Sequence, residues 1–117
     1  ISSEEVQAER FHAITQLVAQ YHGTCVLKGA GTLVKSQGEM VASVCPAGNP
    51  GMATGGMGDI LSGIIAGFIA QKLSLADAAE LGVLVHAIAA NRAAEKGGER
   101  GLLATDLLDF LRELVNP

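Results

Sequence analysis

Between Gly48 and Gly67 the chain carries seven of its fifteen glycines, and the glycine-rich run leads directly into an apolar, helix-forming stretch. This feature most limits what the chain can build. From Gly48 to Asp59 it reads Gly-Asn-Pro-Gly-Met-Ala-Thr-Gly-Gly-Met-Gly-Asp, with neither a helical nor an alternating pattern. A structureless connection of that length is usually functional or disordered. The strongly apolar segments on both sides argue for function. A helix start carries unpaired backbone N–H groups and about half a positive charge. Glycines there let the backbone approach a ligand closely. Together they predict an anion site best suited to a phosphate. Neither common nucleotide fingerprint is present. No Gly-x4-Gly-Lys-Ser/Thr occurs, and Gly56-x-Gly58 follows a loop and lacks a third glycine at the right offset.

Asp59 stands out in such a site, because a carboxylate repels phosphate. It could deprotonate a substrate hydroxyl beside the hole while backbone N–H groups hold the transferring phosphoryl. It could also simply cap the helix, a common use worth about 1 kcal/mol. Capping does not call for four glycines in the preceding eight residues, and that composition favours catalysis.

The rest of the chain reads as one helix, then short strands, then a run of helices. Residues 2–21 form a helical pattern opened by Ser2 and Glu5 in capping-box spacing and stopped at Gly23. Thr24 to Leu27 is a short apolar run predicting a strand buried on both faces, as in a parallel sheet. Residues 28–32 form a loop. Residues 33–35 and 40–44 pattern as a hairpin around 36–39. Residues 59–71 read as a buried helix whose small residues permit close packing. Ser74 and Asp77 cap the next helix, which runs to about Lys96 and ends at Gly97-Gly98. The last helix, 106–115, places Leu107, Leu108, Leu111 and Leu114 on one face. The expected class is α/β.

Composition narrows the function. At 117 residues there is room for one domain. An apolar content of 49% with 17% charged residues excludes intrinsic disorder. A net charge of −4 with no basic stripe argues against nucleic-acid binding. An aromatic content of 3% without Trp argues against base-stacking platforms. Cys25 and Cys45 sit among apolar residues and read as reduced core thiols. His12 and His22 read as surface residues, and His86 as a satisfied core or groove histidine. No pair of histidines has metal-ligand spacing, and no metal-ligating residue is expected. Met52 and Met57 either line a pocket or anchor the loop. No signal sequence is visible, and the longest apolar stretch, residues 60–70, is short of the ~20 a membrane span needs. A cytoplasmic protein without membrane partners is expected. A start at Ile1 within a helical pattern predicts the C-terminal part of a longer chain.

The run from Asn49 to Gly67 closely resembles the signature of the ADP-dependent NAD(P)H-hydrate dehydratases of the ribokinase-like superfamily. Leu27-Lys28-Gly29-Ala30-Gly31-Thr32 is similar to that family's nucleotide-contacting segment. Leu81-Gly82-Val83 with His86, and Gly101 to Leu108, are similar to its C-terminal helices. The resemblance covers nearly everything after about Gly23. It implies a ribokinase-like fold and phosphorylation of the ring hydroxyl of the S epimer of hydrated NADH or NADPH. Loss of phosphate then restores the dihydronicotinamide. ADP, or ATP, is the implied phosphoryl donor, ADP giving AMP, with Mg2+.

By residue, the resemblance implies that Lys28, Gly29, Ala30, Gly31 and Thr32 contact the nucleotide, as does Gly58 through its backbone. Gly55, Gly56, Met57 and Gly58 would form the anion hole, and Asp59 would touch the hydrated nicotinamide nucleotide and act as base. Residues 1–117 would be the C-terminal part of the domain, able to bind a nucleotide phosphate but lacking the half that carries most of the sheet. A homo-oligomer, and an N-terminal epimerase domain in the full-length protein, are also implied. A ribokinase-like kinase of a small alcohol and a non-catalytic nucleotide-binding module are the alternatives.

Overall fold

The computed structural model describes residues 2, 4 and 9–117. The Ser2–Glu5 capping box lies outside the described residues. Helix α1, Arg10–Tyr21, buries Ala13, Ile14 and Val18 along one stripe. It stops at His22, whose N–H donates to the Val18 carbonyl at 2.8 Å, and the chain leaves through left-handed backbone at His22 and Gly23. Phe11, Tyr21, His12 and His22 face outward.

Three strands follow: β1 (Thr24–Leu27), β2 (Leu33–Ser36) and β3 (Ser43–Val44). They form one sheet in the order β1-β2-β3, and both pairings are antiparallel. The register sets Thr24 opposite Ser36, Leu27 opposite Leu33, and Leu33 opposite Val44. The expected parallel, doubly buried β1 is therefore corrected. All four of its residues are half-buried, and it pairs with the strand next to it in sequence. A short apolar run reports burial but not the direction of its partner. The hairpin at β2–β3 forms, but β3 is two residues long. Met40 and Val41 stay outside it, 94% and 77% exposed.

Three helices complete the described chain: α2 (Met57–Ala70), α3 (Leu75–Gly97) and α4 (Leu107–Val115). Ser74 caps α3 as expected, its Oγ accepting from the Asp77 N–H at 3.1 Å. Helix α3 is the spine. Its buried face is rich in small side chains, including Ala78, Ala79, Ala87, Ala89, Ala90 and Ala93, which let neighbouring elements come close. The crossing with α2 is close at Gly82, where a Cβ would lie 2.6 Å from Ile65 Cγ1. On one side of the spine, Val34, Cys45, Leu61, Ala79, Val83 and Ala87 join the sheet to α2 and α3. On the other, Met57, Ala89, Ala90, Ala93, Leu102 and Leu107 join α3 to α4.

Two helix readings are corrected. The inward face of α4 is Leu107, Phe110, Leu111 and Leu114, whereas Leu108 is half exposed. A 3-10 turn, Ala104–Asp106, precedes the helix, which starts at Leu107 and not at the expected Asp106. Positions 107, 110, 111 and 114 follow the i, i+3, i+4, i+7 spacing of one helix face, which 108 does not. Helix α2 is not buried all round. Only Met57 and Leu61 are buried, while Ser62, Gly63, Ala66, Gly67 and Ala70 face outward.

Candidate functional site

The glycine-rich loop is shaped by local contacts. Asn49 accepts the Gly51 N–H on Oδ1 at 3.0 Å and donates from Nδ2 to Asn91 on α3, also at 3.0 Å. This starts a 3-10 turn, Pro50–Met52. Thr54 Oγ1 donates to the Gly51 carbonyl at 2.9 Å. Gly51 itself sits against the Glu99 carbonyl, 2.6 Å from where a Cβ would stand. Gly56 then takes left-handed backbone (φ 92°) as the N-cap of α2. Helix geometry leaves the first N–H groups of α2 without intrahelical acceptors. That of Met57 reaches back to Thr54 O at 3.4 Å. Asp59, at the third helical position, makes no capping hydrogen bond and is exposed.

Facing this helix end is the turn between β1 and β2, residues 28–32. Its glycines 29 and 31 have positive φ, 146° and 68°. Thr32 Oγ1 donates to the Gly29 carbonyl at 3.0 Å and lies 3.3 Å from the Gly29 N–H. Arg10 closes the turn from behind. Its Nη1 donates to the carbonyls of Ala30 (2.6 Å) and Gly31 (3.1 Å), and its Nη2 to those of Leu27 (3.0 Å) and Lys28 (3.3 Å). The Lys28 side chain crosses to α2, where its ammonium lies against Gly58 and crowds the space a Cβ would need.

Between the turn and α2 opens a cavity of about 690 Å³, within the usual range for small-molecule sites of roughly 300–1,000 Å³. Lys28, Gly29, Ala30, Gly31 and Thr32 form one wall, and Met57 and Gly58 form another. Seven of the sequence-predicted positions thus meet in one place. Gly55, Gly56 and Asp59 do not line it. They lie exposed at the same helix end, with Asp59 adjoining Gly58. Met52 lines the cavity as well as packing on the core, so both readings of it hold. Among the residues lining it, Lys28 is the only Lys, Arg, Asp or Glu.

His86 of α3 also lines the cavity and is 5% exposed. Its Nε2 has no hydrogen-bond partner among the described residues, so this nitrogen is not satisfied as expected. Burial lowers the His86 pKa below 6.5; hydrogen bonding to the Met57 backbone opposes this, and the nearby Lys28 charge adds to it. Cys45 is buried, Cys25 half-buried, and both are free thiols. Among the described residues, no three His, Cys, Asp or Glu side chains gather as a metal site. No helix among them is long and apolar enough to cross a membrane.

Arg10 and Asn91 were not singled out from the sequence. Arg10 lies 17–21 residues from the carbonyls it holds, and Asn91 lies 42 from Asn49. No local pattern marks either residue.

The NAD(P)H-hydrate dehydratase family matches residues 1–113. The chain is 66% identical over its full length to the bifunctional NAD(P)H-hydrate repair enzyme Nnr of Coxiella burnetii, covering 24% of that protein. It is 48% identical to the enzyme of the same name from Escherichia coli, over 99% of this chain and 22% of that one. The chain therefore spans about a quarter of the length of these relatives. Among solved structures, it is similar to the ADP/ATP-dependent NAD(P)H-hydrate dehydratase of Bacillus subtilis co-crystallised with ATP/Mg2+. The TM-score is 0.88 at 28% identity, over 97% of this chain and 40% of that one. The α/β arrangement is thus that of a known dehydratase, and with the match running from residue 1 to residue 113, the chain belongs to the NAD(P)H-hydrate dehydratase family.

Proposed function

We propose that this chain supplies the nucleotide-phosphate site and catalytic base of an NAD(P)H-hydrate dehydratase. One observation carries the reading. The Lys28 ammonium and the unpaired N–H groups at the start of α2 converge at Gly58, on the wall of a cavity of about 690 Å³. A cation and a helix N-terminus at one point favour an anion, and a phosphate supplies one. The substrate is hydrated NADH or NADPH, and the donor is ADP or ATP. Residues 28–32 and Gly58 contact the nucleotide, and Gly55, Gly56 and Met57 border the phosphoryl group.

Asp59 removes the proton from the ring hydroxyl of the hydrated nicotinamide. The freed oxygen attacks the terminal phosphorus, and the bond to the departing nucleotide breaks, ADP leaving AMP. The C–O bond then breaks with its electron pair going to phosphate, and a proton lost from the adjacent ring carbon restores the double bond. The position of Asp59 supports this division of labour. It is one residue from Gly58 yet outside the nucleotide cavity, so a second molecule can meet it from the exposed side. The described residues do not fit a resident Mg2+ site. Any Mg2+ would be carried by the nucleotide's phosphates.

The exposed small-residue face of α2 supports placing residues 1–117 as the C-terminal part of a larger ribokinase-like domain. We place that domain in a cytoplasmic, homo-oligomeric protein whose second, epimerase activity lies in a fused domain. The Coxiella and Escherichia relatives are named bifunctional, which supports the second activity.

The test uses the full-length protein carrying this chain. It is mixed with hydrated NADH, Mg2+ and either ADP or ATP, and the return of NADH absorbance is followed. Nucleotide-dependent recovery is expected. A stable phosphorylated product without recovery would instead identify a small-molecule kinase.

A further inference from the structure

The Arg10 guanidinium makes four hydrogen bonds to one five-residue stretch: 2.6 Å to Ala30 O, 3.1 Å to Gly31 O, 3.0 Å to Leu27 O and 3.3 Å to Lys28 O. Charge-assisted bonds of this kind are about twice as strong as neutral ones. The planar fork also fixes directions that a point charge cannot. In a trans peptide the C=O and the following N–H point to opposite sides. Carbonyls 30 and 31 turned onto Arg10 therefore turn the N–H groups of Gly31 and Thr32 away from it. Both residues line the cavity on which Lys28 and Gly58 meet. Gly29 fits the same arrangement, since a Cβ there would stand 3.1 Å from Arg10 Nη2.

We propose that Arg10 is a positioning residue for nucleotide binding: its fork holds the carbonyls of the 28–32 turn on the far side, so that the turn's N–H groups and the root of Lys28 face the phosphates. This role rests on the nucleotide reading of the cavity. Arg10 touches no substrate. It acts by setting the orientation of the turn before ligand arrives, which lowers the ordering cost of binding.

The test compares wild type, Arg10→Ala and Arg10→Lys in the full-length protein. ADP affinity is measured by calorimetric titration without substrate. KM for ADP, KM for hydrated NADH, and kcat are measured at steady state. Arg10→Ala is expected to weaken ADP binding about tenfold, with kcat and the hydrate KM within about twofold, the pattern of lost ground-state binding. Arg10→Lys is expected to fall between the two, because it restores charge without the fork. Millimolar guanidinium should return part of the ADP affinity to Arg10→Ala where sodium chloride does not. Should Arg10→Ala fail to fold, the ADP affinity of Arg10→Lys decides. Folded variants with wild-type ADP affinity would overturn the proposal. So would an equal loss in every kinetic parameter alongside a lower Tm, which marks a purely structural brace. A wild type that does not bind ADP would remove the nucleotide reading itself. A wild type that binds, with unchanged variants, would remove only the role of Arg10.

Discussion

Gly58 and Lys28 show how much a single missing atom can matter. The lysine ammonium crowds the space of the absent Cβ, on the first turn of a helix. The flexible lysine can move aside, and alanine is the better helix former by about 1 kcal/mol. Gly58→Ala should therefore leave Tm unchanged or slightly higher while weakening ADP binding, as thermal melts and titration of the same sample would show. His86 makes a prediction in pH. Its folded pKa lies below 6.5, chiefly through burial, with the Lys28 charge acting the same way. Between the two pKa values the unfolded chain binds more protons, so stability rises with pH there. Stability is lost as pH falls through about 6.5 and levels off below the folded value. Melts from about pH 8 to about pH 5 should show this fall in wild type and less of it in His86→Leu. Equal slopes would refute it. At this scale the sequence was informative where chemistry and position coincide: Gly58 and Asp59 adjoin the helix start that singles them out, whereas residues 28–32 were marked by a family resemblance and the structure sets them on the same cavity wall as Gly58. The unpartnered Nε2 of His86 was not legible, because its burial depends on segments distant in sequence that carry Lys28 and Met57.

Elements were legible where their ends carry a signal. Ser74 caps α3, and Gly98 with φ 91° ends it. They were less legible where orientation depends on a partner. The apolar Thr24–Leu27 run gave no sign that its neighbour would be antiparallel, and in α4 Phe110 and not Leu108 completes the inward face. The α2–α3 crossing is the contact that brings the Gly58 end of α2 over the spine carrying His86. It depends on Gly82, whose Cβ would stand 2.6 Å from Ile65 Cγ1 and 3.5 Å from Ile65 Cα. Gly82→Val should destabilise by about 1–3 kcal/mol through overpacking, despite leaving a glycine out of a helix interior. Denaturant unfolding of the intact protein reads this out, and an unchanged midpoint would mean that the helices separate freely.

For the whole molecule, the most telling surface is the one left open. Helix α2 is among the most apolar segments of the chain, yet a Cβ at Gly63 or Gly67 would meet nothing within 4 Å among the described residues. The sequence predicted burial here because its small residues are those of a close helix contact. Within residues 9–117 that contact is missing. If the proposed larger domain packs on this face, Gly63→Leu and Gly67→Leu should lower the Tm of the full-length protein, although a Cβ at either position meets nothing within 4 Å among the described residues. Unchanged melting would place the rest of the domain elsewhere. The central claim joins two functions at one helix end, phosphate at Gly58 and proton removal at Asp59, and one substitution separates them. In the full-length protein, Asp59→Asn should bind ADP as tightly as wild type or more so, since it removes a negative charge beside the phosphates, yet restore no NADH from the hydrate. Wild-type turnover by a folded Asp59→Asn enzyme would contradict the account.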